Sequence, residues 1–196
     1  MSPTPVPAPP RLAPPGAGLP RVELLVARLL FRWHRLKTSR DAVAAQIAAE
    51  RDAIVALARG CDSVAAARPV LIPRLRGMED SSRCWSVYMT VEHVRIVNAT
   101  ITGLLRLLPE GRTPSRVAST AAVKPAPGID ETVIAAFERG CADLAAAAAA
   151  VPNLHAGAHY AHPWFGPLDA AGWHAMAGFH LTLHRRQIEE IIARRP

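Results

Sequence analysis

Two of the eight histidines in the chain, His180 and His184, stand four residues apart. Positions i and i+4 share one face of an α-helix, so both imidazoles can reach a single ion. Trp173, Ala177, His180, His184, Ile188 and Ile191 recur at steps of three and four. That stripe is apolar and turns toward a core. Two neighbouring buried imidazoles need partners, because polar groups left unpaired away from water are costly. A cation meets that need. A second stripe, Ser86, Met89, His93, Val97, Ile101, Leu104 and Leu108, sets His93 among apolar neighbours. Three inward histidines on two helices make a three-nitrogen set with open positions, the pattern of a reactive metal site rather than a closed structural one. Taken singly the signals are weak. A core histidine often bonds a backbone carbonyl, and two of eight histidines can fall four apart by chance. Zinc is the expected divalent ion; nickel, iron and manganese also accept three imidazoles.

The other reactive side chains have plainer uses. His155, His159 and His162 look like a second cluster, but Gly157 and Pro163 interrupt the segment and loop positions on the surface are expected. His162 opens the turn His162-Pro163-Trp164-Phe165-Gly166, where it either stands beside a pocket or locks the turn. Trp85, Trp164 and Trp173 are expected as core or pocket wall. Cys84 precedes His93 by nine residues, about 180° away at 3.6 residues per turn, so its thiol is expected to face away. Arg83 and Arg95 could take a substrate carboxylate, although solvated helix charges are the simpler reading. No HExxH occurs, which argues against a zinc peptidase.

Those stripes need long helices. A first segment is expected over 21–37. Thr38 and Ser39 offer an N-cap to a second helix reaching Arg59, with Val43, Ile47, Ile54 and Leu57 on its apolar face and Gly60 as its stop. Residues 60–80 are irregular. A helix follows over 83–108 and ends at Pro109 and Gly111. Residues 111–130, with Pro114, Pro125, Pro127 and Gly128, form a crossover. Asp130 caps an Ala-rich helix to Ala150, and a last helix runs from about Asp169 to Arg194. The count is four main helices plus a short leading one, an all-α four-helix bundle with a long crossover.

Composition bounds the rest. The chain has 196 residues and half are hydrophobic. Eight prolines fall in the first twenty residues, so 1–20 read as a disordered Pro/Ala-rich tail and 21–196 as one bundle domain. The net charge is +7, which invites nucleic acid as a partner. The cations are 21 Arg and 2 Lys spread along the chain; they form no block, and no nucleic-acid partner is expected. Three cysteines without CxxC spacing argue against a disulfide framework or a zinc ribbon, and reduced thiols in the cytoplasm are expected. The N-terminus has no apolar signal core. The stretch 22–31 is too short to span a bilayer. A membrane-surface role for 22–35 is the alternative to packing on the bundle, which is expected, with no stable membrane insertion.

The stretch Gly77-Met78-Glu79-Asp80-Ser81-Ser82-Arg83-Cys84-Trp85-Ser86, continuing to Val91-Glu92-His93, resembles the second helix of the DinB/YfiT-like superfamily. The stretch HPWFGPLDAAGWHAMAGFHLTLHRRQI, 162–188, resembles its last loop and helix. The match covers roughly 40–195 in element order. The resemblance implies a four-helix bundle in which His93, His180 and His184 bind a divalent metal, the same three residues that the stripes select. It implies a homodimer. Members include S-transferases and a maleylpyruvate isomerase that use low-molecular-weight thiols such as bacillithiol or mycothiol. The activity expected from the resemblance is thiol transfer to a small-molecule electrophile. The alternative is a non-catalytic bundle that senses a ligand or metal, or binds a protein partner. An open position facing a cavity favours the first; a fourth protein ligand or separated histidines favour the second.

Overall fold

The computed structural model describes residues 11–195. Its helices are α1 (Arg21–Lys37), α2 (Arg40–Arg59), a short α3 (Ser63–Ala67), α4 (Val87–Leu107), α5 (Thr132–Ala150) and α6 (Ala170–Ala193). Two small antiparallel ladders accompany them: β1 (Val70–Leu71) on β2 (Cys84–Trp85), and β3 (Tyr160–His162) on β4 (Gly166–Leu168). Short 3-10 turns cover Asp80–Ser82, Leu108–Glu110 and Ala121–Val123.

Three of the long helices, α2, α4 and α6, start where a side chain satisfies a free backbone N–H group. Ser39 accepts from Ala42 N at 3.2 Å, Ser86 from Met89 N at 3.0 Å and Asp169 from Gly172 N at 2.7 Å. Caps of this kind are worth about 1 kcal/mol each. The four bundle helices are α2, α4, α5 and α6, with α4 packed on α5 and α6, and α2 on α6 and α5. Ile54, Ile101, Leu104, Leu105, Phe137, Leu144, Leu181 and Ile188 are fully buried between them. Burying a side chain of this size contributes about 1.5–3 kcal/mol. The Ala-rich run of α5 buries Ala147 and Ala148 against this core. The fold is the expected four-helix bundle with a long crossover, residues 108–131, between α4 and α5.

Three expectations need correction. The helix expected from residue 83 starts at Val87, because Cys84 and Trp85 are extended and pair with Leu71 and Val70. Cys84 is therefore off the helix, and its angle to His93 has no meaning. Asp130 does not occupy the N-cap of α5, which is Glu131; its carboxylate accepts from Thr132 N at 3.0 Å instead. Of the two N-cap candidates for α2, Thr38 instead closes α1, and Ser39 alone caps α2.

Residues 1–10 of the expected Pro/Ala-rich tail lie outside the described residues. Within 11–20, Ala13 N donates to Asp80 Oδ2 at 2.7 Å and Gly16 N to Glu79 Oε2 at 3.2 Å. No helix among the described residues is long and apolar enough to cross a membrane.

Candidate metal centre

Helices α4 and α6 lie side by side and bring His93, His180 and His184 together. One ring nitrogen from each lies within 4.8 Å of the others, and His93 Nε2 stands 3.1 Å from His180 Nε2. His93 and His184 are buried, and His180 is partly open. The three rings pack edge to face, with centroids 4.3–4.9 Å apart. Trp85 closes one side, 5.0 Å from the His93 ring and stacked on His184 at 6.3 Å.

The chain's own hydrogen bonds decide which nitrogens are free. His93 Nδ1 lies 2.8 Å from the Val123 carbonyl in the crossover. A carbonyl only accepts, so Nδ1 carries the proton and Nε2 keeps its lone pair. Gln187 does the same for His184. Its amide nitrogen donates to Ser82 O at 2.8 Å, which leaves its oxygen to accept from His184 Nδ1 at 2.7 Å. His184 Nε2 is then also a lone pair. His180 has no such support: its Nδ1 is buried without a hydrogen-bond partner. Whichever nitrogen carries its proton, the trio cannot satisfy itself from protein atoms alone.

Burial holds all three imidazoles neutral. It pushes His93 down to about 4, against a smaller raising effect from the Val123 carbonyl. His180 and His184 fall well below the ordinary histidine value, first through burial and then through the neighbouring imidazoles. Neutral imidazole is the ligating form. Two nitrogens bound to one ion at about 2.0–2.1 Å can be no more than about 4.2 Å apart; His93 and His180, at 3.1 Å, satisfy this, and the full trio, within 4.8 Å, closes on one ion with a small movement of the rings. The residues present fit a divalent ion, and the three histidines could hold one. No fourth His, Cys, Asp or Glu joins the group among the described residues.

The histidines stand at the wall of a cavity of about 430 Å³. Ile96, Val97, Leu104, Met176 and Leu183 line it. His162, Trp164 and Trp173 line it too. His162 both lines the cavity and bonds within its own turn. Its Nδ1 accepts from Trp164 N at 3.1 Å, which holds the turn, and its ring packs 5.3 Å from that of Trp173. Burial lowers His162 to about 4. His155 and His159 are exposed, as expected; His155 pairs with Asp169 at 2.9 Å. Arg83 and Arg95 are engaged by Asp80 and Glu92. None of the three cysteines lines the cavity.

Sequence reasoning missed four contributors. Gln187 lies three residues after His184 on the same face, so its spacing was a usable signal. Val123 acts through its backbone, which leaves no trace in side-chain type. Lys124 and Glu79 form an ion pair at 3.2 Å in the cavity wall. Lys124 also donates to Ser82 Oγ at 2.6 Å and stands 5.1 Å over Trp85. Burial lowers the Lys124 pKa and Glu79 opposes the shift. Glu79 balances a cation that would otherwise disfavour a second one nearby.

Compared with solved structures, the chain is similar to TT2238, a four-helix bundle protein, with a TM-score of 0.57 and 24% identity, over 77% of this chain and 98% of that one. The likeness supports the bundle fold. No family model matches the chain, and no curated protein does.

Proposed function

We propose that the chain binds one divalent metal ion through His93, His180 and His184 and uses it, as an S-transferase-like enzyme, to join a low-molecular-weight thiol to a small electrophile. The observation that carries this reading is the convergence of three neutral imidazoles at the wall of an apolar cavity, with no further His, Cys, Asp or Glu in the group among the described residues. A bound divalent ion with open positions supplies a Lewis acid that lowers a thiol's pKa toward neutrality.

The chain's own residues do the rest. Val123 and Gln187 hold two rings with their lone pairs turned inward. Met176, Leu183 and Leu104 give the cavity an apolar wall that favours an apolar electrophile. The nucleophile comes with the thiol, so no protein nucleophile is required. This agrees with Cys141, which burial pushes up to about 11 and so keeps as inert thiol. Zinc is the first choice of ion, with nickel, iron and manganese as alternatives.

The test is metal content of the purified protein by mass spectrometry, beside His93→Ala and His184→Ala, followed by a screen of thiols against electrophiles. About one equivalent of metal, lost in both variants, together with turnover in the parent alone, is the expected result. A parent that stays metal-free after reconstitution overturns the proposal. Metal without turnover in the screen moves the assignment to a metal- or ligand-sensing bundle.

A further inference from the structure

Helix α1 has two apolar faces, and the bundle uses only one. Phe31 is buried, with its ring 4.7 Å from Phe165 and 5.7 Å from Phe179. Arg28 Nε donates to Trp164 O at 2.6 Å, and Glu23 pairs with Arg74 and accepts from Gly77 N at 2.6 Å. These contacts fix how α1 sits. On the opposite side, Val22, Leu25, Val26, Leu29, Leu30, Trp33 and Leu36 form one exposed stripe, from 48% at Val26 to 76% at Val22. At about 100° per residue the stripe centres some 180° from Phe31. It points away from the protein, and no described residue covers it. Monomeric soluble proteins seldom leave so many large apolar side chains contiguous.

Charge identifies what covers it. The 17 residues of α1 carry Arg21, Arg28, Arg32, Arg35 and Lys37 against Glu23 alone, and Glu23 is spent on Arg74. Arg21, Arg28 and Arg32 lie along one edge of the stripe and are exposed. An antiparallel pair of α1 helices from two copies would set these edges against each other, with no acidic residue to answer them. An anionic surface answers them directly. Leu, Val and Trp on one face with arginines along its edge is the composition of a helix that lies in the interface of a bilayer without crossing it.

We propose that α1 docks the protein, flat, on a membrane surface of anionic phospholipid. The inference rests on α1 alone and stands whether or not the histidines hold a metal. It adds to the expected packing of α1 on the bundle, which Phe31 provides. The helix that meets lipid is also the helix seated on Trp164 and Phe165, and Trp164 lines the histidine cavity.

The test is co-sedimentation of the full chain with phosphatidylcholine vesicles, with and without about one-third phosphatidylglycerol. Two variants accompany it: Leu25→Glu with Leu29→Glu, and Arg21→Ala with Arg32→Ala. All are solvent-facing, and circular dichroism confirms that each variant folds. The parent is expected in the pellet with the anionic vesicles only, and released by salt. The glutamate pair is expected to lower partitioning by about tenfold or more, and the arginine pair to lower both partitioning and its salt dependence. A parent that remains in the supernatant with both vesicles overturns the proposal. So does a dimer in analytical ultracentrifugation that the glutamate pair turns to monomer, which would give the stripe to a second copy.

Discussion

Replacing Gln187 tests whether the histidine centre is built for an ion or is merely a packed core. Gln187 is fully buried and makes two bonds of opposite polarity, accepting from His184 Nδ1 and donating to Ser82 O. Gln187→Ala removes both and leaves the His184 N–H and the Ser82 carbonyl unpaired. Each unpaired group costs about 1–3 kcal/mol, so the variant loses about 2–6 kcal/mol of stability. That loss alone would not show a metal role. Gln187→Glu separates the two effects. A carboxylate still accepts from His184 Nδ1, so it still fixes the ring and raises its basicity, but it cannot donate to Ser82 O. Removing a partner of a ligating histidine typically weakens metal binding by about 10–100-fold, or about 1.4–2.7 kcal/mol. Gln187→Ala is expected to show that loss in competition titrations against a chromophoric chelator. Gln187→Glu is expected to bind the ion at least as tightly as the parent while melting earlier. If Gln187→Ala binds metal as the parent does, or if affinity follows stability through both variants, the orienting role is wrong.

Two further outcomes follow from the same geometry. His174 is buried, and burial followed by the Arg40 charge lowers it from 6.5 to about 4. Its folded-state pKa lies below its unfolded value, so protons favour the unfolded chain and stability falls as pH drops from about 6.5 toward 4. At pH 5 this amounts to about 2 kcal/mol relative to pH 8. His174→Met should flatten the chemical-denaturation profile between those two pH values by that amount, and an unchanged profile would refute it. Gly157 has φ +88°, and a Cβ there would lie 1.9 Å from the Leu108 carbonyl oxygen. That oxygen is also the acceptor of Ala158 N at 2.8 Å. Gly157→Ala should cost at least about 3 kcal/mol in urea denaturation, and a loss below about 1 kcal/mol would contradict the close approach.

The parts legible in the sequence were those with a period. The 3/4 rhythm placed His93 on one stripe and His180 and His184 on another, and the structure brings the stripes together. Helix α1 was readable from end to end because Pro20 precedes it and Thr38-Ser39 follows. The two-residue ladder of Val70–Leu71 with Cys84–Trp85 has no period to detect, and it moved the start of α4 by a turn. The surroundings of the histidines were less visible. Gln187 shares the face of His184 but lies outside the apolar stripe that drew attention to the histidines, and Val123 contributes an atom that every residue has. The outward stripe of α1 was readable as apolar, but which of its two faces met the bundle depended on Phe31, Phe165 and Phe179 coming together.

The Val123 carbonyl and the Gln187 amide also settle a matter of proton inventory. Both rings are already stripped of any second proton by burial, and each wears its remaining one on the side away from the cluster. An ion entering the proposed site would therefore meet bare lone pairs on His93 and His184 and expel no proton from either. Its capture by these two rings would be calorimetrically silent toward buffer, and above the acid range its affinity for them would be set by geometry instead of by pH.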